Sequence, residues 1–196
     1  METPLLGLKE FDKLMKPTVC NIGYIGFGRY NKLRYRKHYD VWEDMMKKCY
    51  SEENPAGCYV DKEWHNFQNF CEWSMNNYIK DFKLTHNLIF HDTKVYCKYT
   101  SVYVPLKIKH LFPTRLRVEK LPLGISLNDN GQRFRAIMRY NGRTIKIGTF
   151  DTIEEAFKNY KLNKELVIKE YAEKFKSILP EKTYNILMQY SVEITD

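Results

Sequence analysis

The sequence predicts an α+β protein: a helical N-terminal part, a short strand-strand-helix stretch, and a three-stranded antiparallel sheet backed by a helix. Three observations predict it. Apolar residues recur at helical spacing in 40–50, 64–78 and 152–177. They alternate with polar residues in 125–147. Turn and cap residues punctuate both patterns where elements should end.

Residues 1–28 carry scattered apolar residues and a stretch IGYIGFGRY. Its glycines fit neither the dinucleotide nor the P-loop spacing, so it reads as a turn or short hairpin. Residues 29–39 hold five basic residues (Arg29, Lys32, Arg34, Arg36, Lys37) and no acid, interleaved with Tyr30, Tyr35 and Tyr39. We read 1–39 as a basic arm whose cations grip phosphates. A helix is predicted over 40–50, with Asp40 as cap and Val41, Met45, Met46 and Cys49 near one face. A loop (51–57) leads to a second helix over 64–78, whose Trp64, Phe67, Phe70, Cys71, Trp73 and Met75 supply core. Next, 83–90 and 94–99 read as a β-hairpin, followed by a short helix from Pro105, a residue suited to a first helical turn.

A basic linker (113–122) with Arg115, Arg117 and Lys120 precedes the sheet. Its first strand alternates Ile125 and Leu127 with Ser126 and Asn128. In the second, Phe134, Ala136, Met138 and Tyr140 share one face, and Arg133, Arg135, Ile137 and Arg139 the other. In the third, Ile145 and Ile147 alternate with Thr144 and Lys146, after an Asn141-Gly142 pair suited to a tight hairpin turn. Asp129-Asn130-Gly131 supplies a looser turn. Thr152 to Glu155 is a capping box. The helix it opens, predicted to about residue 177, presents Ile153, Ala156, Phe157 and Tyr160 to the sheet. Pro180 breaks it, and 181–190 forms a last helix, whose Ile186, Leu187 and Tyr190 pack back on the domain or join two copies. Monomer and homodimer both stay open.

The chain has 196 residues and a formal net charge of +8, unevenly spread. Residues 113–150 hold eight basic residues against Glu119 and Asp129, while acids gather in 40–53. Such segregation makes a local positive field that attracts a polyanion. No amphipathic basic helix accompanies it, so a membrane partner is not expected. No signal peptide and no bilayer-length apolar run is read, which places the chain in a cytoplasm. The five cysteines contain no C-x-x-C pair and read as small buried hydrophobes.

The segment GISLNDNGQRFRAIMRYNGRTIKIGTFDTIEEAFKNY resembles an AP2-type DNA-binding domain, in the form attached to phage and mobile-element endonucleases. The shared pattern is G-[IV]-S, a strand ending near R-A, N-G-[KR], then [LI]-G-x-F-x-T-x-E-E-A. In that family the sheet enters the major groove. The resemblance therefore implies that Arg133, Arg135, Arg139 and Lys146 face duplex DNA, with Ser126, Asn128 and Arg143 beside them. YDVWEDMMKKCYS and VDKEWHNFQNFCEW resemble the segment that precedes an HNH-like ββα nuclease module in the same proteins, and the ending SVEITD is similar as well. The implied organisation is a basic arm (1–39), a helical and HNH-like module (40–112), the linker (113–122) and an AP2-like domain (123–196).

An HNH nuclease needs a base to activate water and side chains that hold a divalent metal against the scissile phosphate. Relatives carry an acidic strand motif, then G-N-x-Y-S-P-x-[TN]-C, then a helical Asn. Here the corresponding positions read Leu84-Thr85-His86-Asn87-Leu88, Tyr96-Cys97-Lys98-Tyr99-Thr100-Ser101 and Lys109. The metal-binding acids are missing together, so no catalytic residue, metal or cofactor is expected. The alternative is a new constellation of His86, His91, Asp92 and His110 using Mg²⁺ or Mn²⁺, with His86, His91 and Asp92 as ligands. The resemblance thus implies a sequence-specific double-stranded DNA binder without cleavage, a repressor or a site-occluding regulator. An active metal-dependent endonuclease is the alternative. A second alternative is a counter-defence or interaction protein that uses its basic face on an acidic protein or a guide RNA.

Overall fold

The structure is a computed structural model that describes residues 13–52, 57–86, 88, 93–112, 121–128 and 130–194. It is mixed α+β and divides into two compact units, Met1–His86 with Thr93–Tyr103, and Asn87–Asp92 with Val104–Asp196. The division falls within a strand at Val104, earlier than the linker at 113–122 that the sequence suggests.

In the first unit, α1 (Arg36–Tyr50) and α2 (Phe67–Asn77) pack through Trp42, Met46, Phe67 and Phe70, all fully buried. Trp42 donates its indole N–H to the Trp64 carbonyl at 2.7 Å, so the largest ring in this core has its polar atom satisfied. Helix α1 begins one turn earlier than expected. Tyr39 is buried, and its packing on Trp42 and Phe67 draws residues 36–39 into the helix. Asp40 is therefore not the cap; it sits one turn inside and accepts from Arg36 Nε at 2.7 Å.

The second expected helix is divided at Asn66, whose ψ of 117° is extended. A 3₁₀ turn (Lys62–His65) precedes Asn66, and the Asn66 Oδ1 accepts from Gln68 N to cap α2. The break follows from Asn66 bridging to Tyr24, which binds the 24–30 loop to the start of α2.

The expected hairpin of 83–90 with 94–99 is not the observed pairing. β3 (Val95–Tyr96) runs parallel to β1 (Tyr59–Val60), and β2 (Phe82–Thr85) pairs with β4 (Val102–Pro105). Tyr59 N donates to Lys94 O and Asp61 N to Tyr96 O, both near 2.9 Å. The parallel pairing puts the Tyr96 ring into the core, where it lies 4.2 Å from the His86 ring, centroid to centroid. Burial of a large aromatic across the unit decides this pairing over the sequence-local one. Part of the expected hairpin (residues 87 and 89–92) lies outside the described residues.

In the second unit, α3 (Leu106–Lys109) leads towards the three-stranded antiparallel sheet β5-β6-β7 (Ile125–Leu127, Phe134–Tyr140, Arg143–Phe150). The hairpin turn forms at Asn141 and Gly142, with φ of 49° and 77°, the left-handed region that Asn and Gly tolerate best. One face of the sheet buries Ile125 and Ala136 against α4 (Ile153–Lys174), which contributes Ala156, Tyr160, Val167, Ile168 and Tyr171. Thr152 caps α4 by accepting from Glu155 N at 3.1 Å. Gly124, at φ 75°, lies directly under the Tyr160 ring.

Helix α5 (Glu181–Gln189) folds back on α4 with Leu187 fully buried. Lys161 Nζ then ties the following segment by donating to Ser191 Oγ and Val192 O, both at 2.8 Å. No helix among the described residues is long and apolar enough to cross a membrane.

Candidate nucleic-acid interface

Alternation along β6 puts Arg135, Ile137 and Arg139 on the face opposite Ala136 and α4. The register completes three rows on that face. Ser126 and Thr149 flank Arg135, Lys146 lies beside Ile137, and Thr144 beside Arg139. At about 3.4 Å per residue, Arg135 and Arg139 stand roughly 14 Å apart along one strand. Lys146 sits on the neighbouring strand between them. The arrangement is a cationic line along the face of a helix-backed sheet.

A β-bulge makes these rows compatible with the core. Ala136 pairs with Gly148 and Ile137 with Lys146, so Ile147 is the extra residue. Towards the hairpin tip, Lys146 stays on the cationic face; beyond the bulge, Thr149 does, while Phe150 pairs with Phe134 on the helix side. Sequence alternation alone put Ile147 in phase with Ile145 and missed the bulge. Gly148 is the one signal that marked it, since a glycine inside a strand often sits at a bulge.

Arg133, at the entry to β6, is not an uncommitted cation. Its Nε meets Asp151 Oδ1 at 2.6 Å in an exposed pair, the two side chains 47% and 75% accessible. Asn128 is occupied by its turn: its Oδ1 accepts from Gln132 N at 3.0 Å and Arg133 N at 3.2 Å. Arg143 is exposed, but it falls in the Tyr140 row, so alternation directs it away from the Arg139 face. Behind the sheet, Tyr171 donates to Asn141 Oδ1 and Tyr140 to Glu170 Oε1, both at 2.6 Å, fixing the hairpin tip to α4. Arg115, Arg117 and Lys120 lie outside the described residues.

In the first unit, the 29–37 run is ordered structure rather than a loose arm. Asn31 Oδ1 accepts from Leu33 N at 2.8 Å and Arg34 N at 3.1 Å, and Tyr35 N donates to Asn31 O. Arg29 Nη2 donates to both Glu72 carboxylate oxygens and to Tyr30 Oη. The bonds from Tyr30 and Arg29 hold the Glu72 carboxyl below the usual carboxylate range. Lys32 Nζ sits 4.1 Å from the Tyr39 ring centroid, and Arg36 is paired with Asp40. Lys32, Arg34 and Lys37 are exposed.

Of the nuclease candidates, His86 and His110 lie among the described residues. His86 is 6% exposed, its ring against Tyr96. His110 is exposed just past α3, in the second unit. His91 and Asp92 lie outside the described residues. Among the described residues, no group of three His, Cys, Asp or Glu is placed to hold a metal ion such as Mg²⁺ or Mn²⁺.

Sequence reasoning also missed two polar constellations in the first unit. Cys49 and Cys58 face each other with sulfurs 2.8 Å apart in the core, and the bond from Cys49 lowers the Cys58 thiol. His38 Nδ1, Ser74 Oγ and Tyr103 Oη form a chain of two 2.8 Å hydrogen bonds. Burial and the neighbouring Lys37 lower the His38 imidazole. Comparison with family models, curated proteins and solved structures finds no match to this chain.

Proposed function

We propose that the chain is a sequence-specific double-stranded DNA-binding protein of phage or mobile-element type. On this reading it descends from an HNH homing endonuclease with an AP2-like C-terminal domain, and represses transcription or occludes a site without cutting it. One observation carries the reading. The register of β5-β6-β7 lines Arg135, Lys146 and Arg139 on the sheet face opposite α4, with small hydroxyl residues (Ser126, Thr144, Thr149) beside the two arginines. Arginine and lysine are the side chains that read guanine edges and neutralise phosphates, and hydroxyls serve either role. A face built only for solubility would intersperse acids among these rows, and none occurs in them.

The test is duplex selection followed by titration. The protein should enrich a consensus from random duplex DNA. Arg135→Ala and Arg139→Ala should each relax preference at particular positions by about 1–3 kcal/mol if they read bases. Where a side chain contacts phosphate instead, its removal should reduce the salt slope by about 0.9. If both variants bind duplex with unchanged affinity, preference and slope, the sheet-face reading is wrong. Plasmid nicking with Mg²⁺ or Mn²⁺ should be absent; metal-dependent cleavage lost on His86→Ala would establish the endonuclease instead.

A further inference from the structure

We infer that Leu33 is an apolar wedge that inserts between base steps in the minor groove of duplex DNA. The inference rests on the duplex-binding reading and adds a second contact, on a different unit from the sheet.

Leu33 is the most exposed of the large hydrophobic side chains among the described residues, at 81%. An isolated surface leucine needs no explanation by itself. This one is held out rather than left out. The Asn31 carboxamide accepts from the Leu33 and Arg34 backbone N–H groups, and Tyr35 N closes the turn on Asn31 O at 2.9 Å. Tyr30 on one side and Tyr39 on the other are buried, and the Tyr30 and Tyr35 rings meet edge to face at 5.0 Å. The tip is therefore braced on both flanks, with Leu33 projecting from it.

Its neighbours select the partner. Lys32 and Arg34 flank it directly, Arg36 and Lys37 follow within a turn of helix, and no acid occurs from Arg29 to Tyr39. Arg29 and Arg36 are neutralised by Glu72 and Asp40. The cations nearest the tip, Lys32 and Arg34, lean on tyrosine rings, and Lys32 also acts on the Glu43 carboxylate beside Tyr39. An apolar partner protein would not favour this collar of cations, whereas a duplex supplies both parts. Phosphates line the groove edges, and base steps accept a leucine wedge once unstacked. The cations offset part of the unstacking cost by neutralising phosphates on either side of the inserted residue.

The test uses the full chain and a duplex rich in TA steps, the steps most easily unstacked. 2-Aminopurine replaces some adenines and brightens when a step opens. Wild type should raise the fluorescence on binding. Leu33→Ala should bind with the same salt slope but abolish the rise, and Leu33→Met should restore it. Because Leu33 is exposed, neither variant should change the thermal midpoint. A wild type that binds the duplex without brightening it, or a Leu33→Ala that brightens it equally, overturns the wedge and leaves the sheet-face reading standing. A wild type that binds no duplex overturns the duplex-binding reading, and the wedge falls with it. Binding to phosphatidylserine vesicles that depends on Leu33, in place of duplex binding, would assign the tip to a bilayer and overturn the proposal.

Discussion

On the proposed duplex-binding reading, Asp151 competes with phosphate for Arg133, and removing its charge should strengthen binding. Its carboxylate meets Arg133 Nε at 2.6 Å, at the end of β6 where the line of cations begins. Both side chains are substantially exposed, so the pair is worth about 0.2–1 kcal/mol. A phosphate that recruits Arg133 must first displace Asp151 and also meets its negative charge. Asp151→Asn removes the competitor while keeping the shape. Affinity should therefore rise about 1.4- to 5-fold at moderate salt, the factor that 0.2–1 kcal/mol represents. The plot of log affinity against log salt should steepen by about 0.9, one more neutralised phosphate. Fluorescence anisotropy across a salt series reads both quantities, and folding stability should fall by less than about 1 kcal/mol. A double-mutant cycle with Arg133→Ala gives the refutation. If Asp151→Asn strengthens binding equally without Arg133, the gain is general charge and the competition argument fails.

Gly124→Ala should destabilise the protein by more than about 2 kcal/mol, because a left-handed φ is combined with a methyl forced into the Tyr160 ring and within 2.7 Å of the Ile137 carbonyl; urea unfolding measures it. The His38 imidazole is lowered by burial, so the unfolded chain binds the proton more readily. Stability should be full above the ordinary histidine value and decline as pH falls from about 6.5 through the lower folded value. His38→Gln should flatten that part of the stability–pH curve. Burial pushes the Cys71 thiol up to about 12, so mass spectrometry after alkylation at neutral pH should find Cys71 unmodified in the folded protein and modified in urea.

What was legible in the sequence was local chemistry. Asn141-Gly142, Thr152 with Glu155, and the alternation from Phe134 to Tyr140 each specify a backbone conformation within a few residues, and each element formed where its signal lay. What was not legible depended on distant partners. Tyr96 pairs beside Tyr59–Val60 because its ring finds a core assembled from residues far along the chain. Asp40 looked like a cap because its neighbours suit a helix start, yet Tyr39, one residue earlier, had to be inside the helix to reach Trp42 and Phe67. At the candidate interface, the cationic face was readable from period two. The pairing of Arg133 with Asp151 and the use of Asn128 within its turn were not, since one joins two side chains across a strand end and the other a side chain to backbone N–H groups across a turn.

The bulge at Ile147 has a consequence for how this hairpin tolerates change. Along β7, odd-numbered and even-numbered residues exchange sides at that one position, so the strand holds two incompatible parities in sequence. Deleting Ile147 would leave Lys146 opposite Ile137 and Gly148 opposite Ala136 in an unbroken ladder, so Lys146 and Phe150 both keep their faces and only the bulge is lost. The same extra residue locally tightens the right-handed twist. A flat ribbon meets a helical groove along a short tangent, whereas a twisted one follows its floor for longer. The residue that appears in none of the cationic rows thus adds twist to the surface those rows present.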